Sequence, residues 1–279
     1  MKLLSLLRDA ALARRLALAS ATLAALAAAA PRSASAANCG DDVDGQRVAC
    51  ACGDIVVSDT VLWPSDPVTA EPCSGDGLLL QAPLDSDGIT LNLGGQTLVG
   101  TGSGAGIRVV RGGRLGSAIV GGDEDDTRAE IARFGTGIRA SGRNDLREIR
   151  SIDLHSNRQD GMKLHVSGVR IEDVKADDNG RHGASLKGHG VDVAGVTADD
   201  NARDGLQVRG AGAMIEAQTS GNRRNGTVVS GRGNRVANVL ASGNGGAGVL
   251  ATGEGHEVQG LQVTGNQGGE LVGRPGAVR

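Results

Sequence analysis

Two consecutive segments, NRQDGMKLHVSGVRIEDVKADD (157–178) and NGRHGASLKGHGVDVAGVTADD (179–200), decide the fold. Each is 22 residues long, opens on Asn, carries Gly four residues later and closes on an Asp pair. The opening Asn recurs outward from this pair as Asn157, Asn179, Asn201, Asn222, Asn244 and Asn266, at intervals of 22, 22, 21, 22 and 22. The Gly recurs with the first five of them, as Gly161, Gly183, Gly205, Gly226 and Gly248. Short alternating segments follow it: Met162/Leu164, Ala184/Leu186, Leu206/Val208, Thr227/Val229 and Val249/Ala251. Alternation with period two is the mark of a strand with one face inward. Two more sets of short strands fill each repeat, with Val169/Ile171 and Val191/Val193 in one, and Val174/Ala176 and Val196/Ala198 in the other.

Three short strands separated by turns in 22 residues make one coil of a solenoid. Equivalent residues in successive coils then stack at about 4.8 Å. The recurrent Asn is expected to form a column whose amides donate and accept along the stack, and the Gly to supply a turn conformation closed to other residues. The expected fold is all-β, a parallel β-helix. A helical repeat is excluded by the Gly content and the β-branched alternation. Upstream the pattern weakens but persists through Gly137–Ala140 and Gly106–Val109, with Gly121 to Glu130 read as a loop insertion carrying Asp123 to Asp126. Gly88 to Leu93 reads as the first full strand.

Composition supports a solenoid. The chain of 279 residues has 46 Gly, one Phe, one Trp and no Tyr, so stacked aliphatics rather than rings must fill the interior. A net charge of −3 gives no case for a nucleic-acid partner. At the N-terminus Lys2, Arg8, Arg14 and Arg15 precede the apolar run Leu16 to Ala30, and Ala34-Ser35-Ala36 offers a small-x-small cleavage site. Residues 1–36 are therefore expected to be a signal peptide, with no membrane association after cleavage and a secreted or periplasmic mature chain. Residues 37–87 hold all four Cys and are expected to form a cap before a β-helix over 88–279. An exported chain with an even Cys count implies disulfides. Four Cys allow three connectivities. The sequence does not choose among them; Cys50 and Cys52 are too close for an easy bridge, Cys39–Cys50 with Cys52–Cys73 is the favoured pairing of those left, and a zinc site is the weaker alternative.

The segments Cys52-Gly53-Asp54, Cys73 to Leu78 and Ile89 to Gly100 resemble the opening of bacterial secreted right-handed parallel β-helix repeat proteins of the pectate-lyase-like superfamily. The resemblance spans nearly all of the mature chain. It implies a right-handed coil and contact with carbohydrate, in a superfamily that includes polysaccharide lyases, polygalacturonases and alginate epimerases. Gly188-His189-Gly190 matches one polygalacturonase tripeptide, but the Asn-Thr-Asp and Arg-Ile-Lys motifs are missing. The resemblance to pectate lyases makes Lys163 or Lys187 a candidate base.

Stacking turns sequence columns into surface columns. Beside the recurrent Gly, the outward residues include Arg139, Lys163, His165, Lys187 and Arg209, with His189 just beyond. Such a row suits an extended acidic polysaccharide, and these are the candidate substrate-binding residues. The residues before the recurrent Gly place His182 between Asp160 and Asp204, an arrangement fit for acid or base catalysis. The candidate catalytic set is His182, Asp160, Asp204 and Lys187. No metal-ligand set is assigned, and Ca²⁺ is the one cofactor that the stacked pairs Asp177-Asp178 and Asp199-Asp200 leave open. Three functions are compatible with these residues: a lyase or hydrolase of an acidic polysaccharide, a non-catalytic binder of one, and a structural or adhesive surface protein.

Overall fold

In the computed structural model the described residues are 36–122, 127–142, 145–273 and 278. The expected signal peptide up to Ser35 and the acidic loop Asp123 to Asp126 lie outside them. The described chain is a parallel β-helix of about ten turns. One sheet stacks Met162–His165, Ala184–His189, Leu206–Ala211, Thr227–Arg232 and Val249–Glu254 in unbroken parallel register. A second stacks Ile149, Ile171, Val193, Ile215, Val236 and Val258. A third carries Ile131 beside Leu154, with Leu240–Ser242 beside Gln262–Thr264. Inward side chains such as Leu164, Leu186, Val208 and Ile171 form one continuous apolar core.

The second and third sheets meet at a bend held by left-handed residues: Ser151, Asp173, Gly195, Asn238 and Gly260, with φ between 52° and 64°. The coil at Met214–Ser220 lacks this residue. Val193 pairs with Ile215 and Val196 with Ala217, so four residues face three. This deletion accounts for the single 21-residue interval in the Asn series.

The Asn column forms as expected. Each amide donates to the next Oδ1, from Asn157 to Asn179 at 3.1 Å through to Asn244 to Asn266 at 2.8 Å. Each Oδ1 also accepts the backbone N–H of the preceding Asn, and each amide reaches a carbonyl of the third sheet. Phe134 occupies the position one coil before Asn157 and donates its N–H to the Asn157 Oδ1 at 3.0 Å. Its fully buried ring closes the start of the ladder.

The role expected for the recurrent Gly is corrected. None of the five has positive φ. A Cβ on Gly183 would stand 2.6 Å from the Ala176 carbonyl oxygen and 2.8 Å from the Asn201 amide, so close approach to the ladder demands Gly there. The left-handed residues are instead those just before each Asn: Ser156, Asp178, Asp200, Gly221, Gly243 and Gly265.

The ladder of parallel strands also begins earlier than residue 88. Asn38–Val43 pairs with Asp54–Val56, which pairs with Leu78–Gln81 and then Ala105–Arg111. Gly88 to Leu93 thus contributes not the first strand but Thr90–Asn92, beside the earlier Thr60–Val61. Ala129–Ala132, partly assigned to the loop insertion, is a paired strand. The antiparallel Gln46–Val48 closes the N-terminal edge, which blunts edge-to-edge pairing. Among the described residues the one helix, Pro67–Ala70, precedes Cys73. Arg47 holds the fully buried Asp66 at 2.8 Å and lies over the Trp63 ring. Both favoured disulfides are present, Cys39–Cys50 and Cys52–Cys73. Alkylation of the native protein without reductant should therefore label no thiol; mass spectrometry showing labelled Cys would contradict this pairing.

Candidate functional site

Parallel register along the first sheet places Arg108, Arg139, Lys163, Ser185, Gln207 and Val228 in one outward column. His165, Lys187, Arg209 and Ser230 form the next. These columns line a hollow of about 440 Å³ that takes in Arg139, Lys163, His165, Lys187 and Arg209. An adjoining hollow of about 530 Å³ continues past His189 and Ser230. Arg139, Lys163, Lys187 and Arg209 are exposed and come together with His165 in one groove, and His189 lies at its extension.

Asp160 and His182 also line the first hollow, with Asp204 just behind. All three are buried, at 1%, 5% and 2% exposure. The expectation of an imidazole between two carboxylates is corrected. His182 Nδ1 lies 3.3 Å from Asp204 Oδ2, but Asp160 Oδ1 accepts the backbone N–H of His182 rather than facing its ring. Asp204 Oδ1 accepts the Asn225 N–H, and Asn225 Oδ1 accepts that of Ala247, so this column is a second side-chain ladder. Burial pushes the Asp204 carboxyl upward, but the His182 ring and the N–H donors of Asn225 outweigh it and hold the carboxyl below its usual range.

A third cationic column escaped the sequence reading. Arg181, Arg203 and Arg224 stack through successive backbone hydrogen bonds and line the same hollow, across Ser185 and Gln207 from Lys187 and Arg209. Each stands two residues after a ladder Asn, so the repeat register alone could have found them. Asp160 Oδ1 lies 3.8 Å from Arg181 Nε, and Asp204 Oδ1 lies 4.0 Å from Arg224 Nε. Among the described residues, no carboxylate stands within ion-pair distance of Arg139, Lys163, Lys187, Arg203 or Arg209. The outer face of the second sheet differs: there Arg170 binds Asp192 at 2.8 Å and Glu172 at 3.0 Å, and Arg150 approaches Glu148.

The acidic turns are used internally. Asp177 Oδ1 accepts the Asp199 N–H, and Asp199 Oδ1 that of Ser220. Among the described residues, no group of three or more His, Cys, Asp or Glu could hold a metal ion. Burial, with repulsion from Asp199, Asp153 and Asp178, raises the Asp177 carboxyl above its usual range. A folded-state value above the unfolded one means that ionised Asp177 costs stability at neutral pH, a cost relieved as pH falls through the folded value. Asp177→Asn keeps the acceptor oxygen and should raise the melting temperature at pH 7. That gain should vanish in acid below the usual Asp range, and a gain unchanged with pH would refute the assignment.

Stacked parallel coils and an internal asparagine ladder define the chain as a β-solenoid. The model of the family described as right-handed beta helix region matches residues 122–270, more than half of the chain, and the protein belongs to that family. Comparison with curated proteins found no match, and neither did comparison with solved structures. Disulfides persist in oxidising compartments, so the two bridges indicate an extracellular or periplasmic setting. No helix among the described residues is long and apolar enough to cross a membrane.

Proposed function

We propose that this protein is exported and binds an extended acidic polysaccharide lengthwise in the groove of the first sheet, as a pectate-lyase-like β-helix would. The observation that carries the reading is the run Arg139, Lys163, Lys187, Arg203 and Arg209 without carboxylate partners along one groove, on a molecule whose second sheet pairs Arg150 and Arg170 with carboxylates. Groups left unpaired and exposed are available to a ligand. Coils rise by about 4.8 Å, close to one sugar residue of an extended polyuronate, so successive coils can meet successive anionic groups. Each contact is weak and screened, and affinity comes from several engaging one chain.

The buried His182 on the groove wall, with Asp204 behind it, favours a second reading in which the bound chain is also cleaved. Lys187 above the same hollow would then serve as base. The test is titration with polygalacturonate and alginate at low salt, with and without Ca²⁺, followed by ultraviolet absorbance of unsaturated products and a reducing-end assay. Product lost in His182→Ala with binding intact supports catalysis. Binding without product supports a binding protein. Absence of binding to every acidic polymer would leave only a structural or adhesive role.

A further inference from the structure

The outer face of the second sheet carries a column of its own. Strand pairing sets Arg170, Asp192, Met214, Arg235 and Glu257 one beside another on five successive coils. Asp192 is half-buried and the other four are exposed. Met214 is 53% exposed, and among the described residues no other large apolar side chain stands out this far from the second sheet. It lines a hollow of about 400 Å³ together with the small residues Ala194 and Ala237. The charges of the column are paired unevenly. Arg170 holds Asp192 at 2.8 Å and Glu172 at 3.0 Å. Arg235 and Glu257 are neighbours in register, yet among the described residues neither has an ion-pair partner.

In sign, the column reads positive, negative, Met, positive, negative, and this order is complementary to its own reverse. A second copy turned end over end, about an axis along the strands at Met214, lays the column against itself. Met214 then meets Met214, Asp192 meets Arg235 and Arg170 meets Glu257 of the second copy. Two-fold symmetry makes each charge pair twice, and Arg235 and Glu257 gain the partners they lack. In the adjacent column Ala194 meets Ala237, so the two sheets can approach closely. Moving the axis by half a coil sets Arg170 against Arg235 or Asp192 against Glu257, and such like-charge meetings suppress the wrong register. The pliant, polarizable Met side chain suits the axis, where identical groups must pack. Glu216, which accepts a hydrogen bond from Asn238 at 3.1 Å, meets itself near the axis and opposes the contact.

We infer that this face docks a second copy of the chain, with solenoid axes antiparallel and Met214 at the two-fold axis. The partner is the chain itself because the face complements its own reverse. The column spans about 19 Å at about 4.8 Å per coil, so the contact is at the small end of specific interfaces and gives a weak, reversible dimer. The groove of the first sheet takes no part in it.

Sedimentation equilibrium of the full exported chain at low salt should show monomer and dimer in exchange, shifting to monomer as salt approaches about 1 M. Arg235→Glu and Asp192→Arg each create two like-charge meetings across the contact, and each alone should weaken the dimer at least tenfold. Mixed in equal amounts, the two variants should recover it, because every reversed charge then meets an opposite one. Glu216→Gln should tighten it several-fold. Arg235→Glu alters an exposed side chain with no partner in its own chain, so an unchanged melting temperature separates loss of the dimer from loss of the fold. A monomer at every concentration would overturn the proposal, and so would a dimer that Arg235→Glu leaves intact. Weakened variants that fail to recover on mixing, or no gain from Glu216→Gln, would overturn the antiparallel two-fold arrangement.

Discussion

Asn201→Ala lowers the free energy of unfolding by about 3–5 kcal/mol, on the basis of about 1–3 kcal/mol for each buried polar group left unpaired. The amide of Asn201 donates to the Ala176 carbonyl at 2.8 Å and to Asn222 Oδ1 at 3.0 Å, while its Oδ1 accepts the backbone N–H of Asn179 at 3.0 Å. Truncation strips the Ala176 carbonyl and the Asn179 N–H of these partners in the dry interior of two adjacent coils, and leaves a small cavity as well. Asn266 ends the series and is only half-buried, so water can replace what Asn266→Ala removes. That variant should lose about 1 kcal/mol, within the net worth of an ordinary hydrogen bond. Urea denaturation of the two variants beside the wild type measures the difference. Equal losses would mean that the column does not carry the energetic role its hydrogen bonds imply.

Replacing Lys187 and Arg209 together by Glu abolishes measurable polyuronate binding, an expected loss of at least a hundredfold. The two side chains are adjacent in register on the strand flank, and both line the main hollow. Reversal removes two attractions and adds two repulsions in the middle of the groove. The wild type should lose most of its affinity as salt is raised towards 1 M, where the screening length falls to about 3 Å. The double variant should bind too weakly for any such dependence to be measured, because the two new carboxylates repel the ligand in the middle of the groove and offset the cations left around them. The control is reversal of Arg235, which lies on the second sheet beside Met214; it should leave binding unchanged. Retained binding in the Lys187/Arg209 variant would remove the groove from consideration, whatever ligand is tested.

The repeat made most of the architecture legible. Asn at intervals of 22 or 21, with alternating apolar residues after each Gly, fixes which residues share a column. Columns fix the ladder from Asn157 to Asn266 and the outward row Lys163, Lys187 and Arg209. Arg181, Arg203 and Arg224 were equally legible from that register, but they sit in a turn, where no strand alternation draws the eye. The N-terminal coils were hard to read because their spacing is irregular: Asp54 pairs with Leu78, and Leu78 with Ile107. Without a constant period, strands in residues 37–87 look like a separate cap although they belong to the same sheet.

Closure of a coil is a periodic, nearly one-dimensional property, since each coil touches only its neighbours. The sequence by itself therefore determined the parallel stacking, the ladder and the basic face, whereas the choice among the three Cys connectivities came from the structure. The tertiary structure decided what depends on direction within a coil. It showed that Gly183 is required by the close approach of Asn201 rather than by its own φ, and that the left-handed strain falls on Asp178 and Asp200. It placed the 21-residue coil's deletion at the bend between the second and third sheets. It turned the His182 ring to Asp204 and gave Asp160 to the backbone. A period states which residues are neighbours, but the way a side chain turns between two neighbours is settled only by the packing and hydrogen bonds on every side of it.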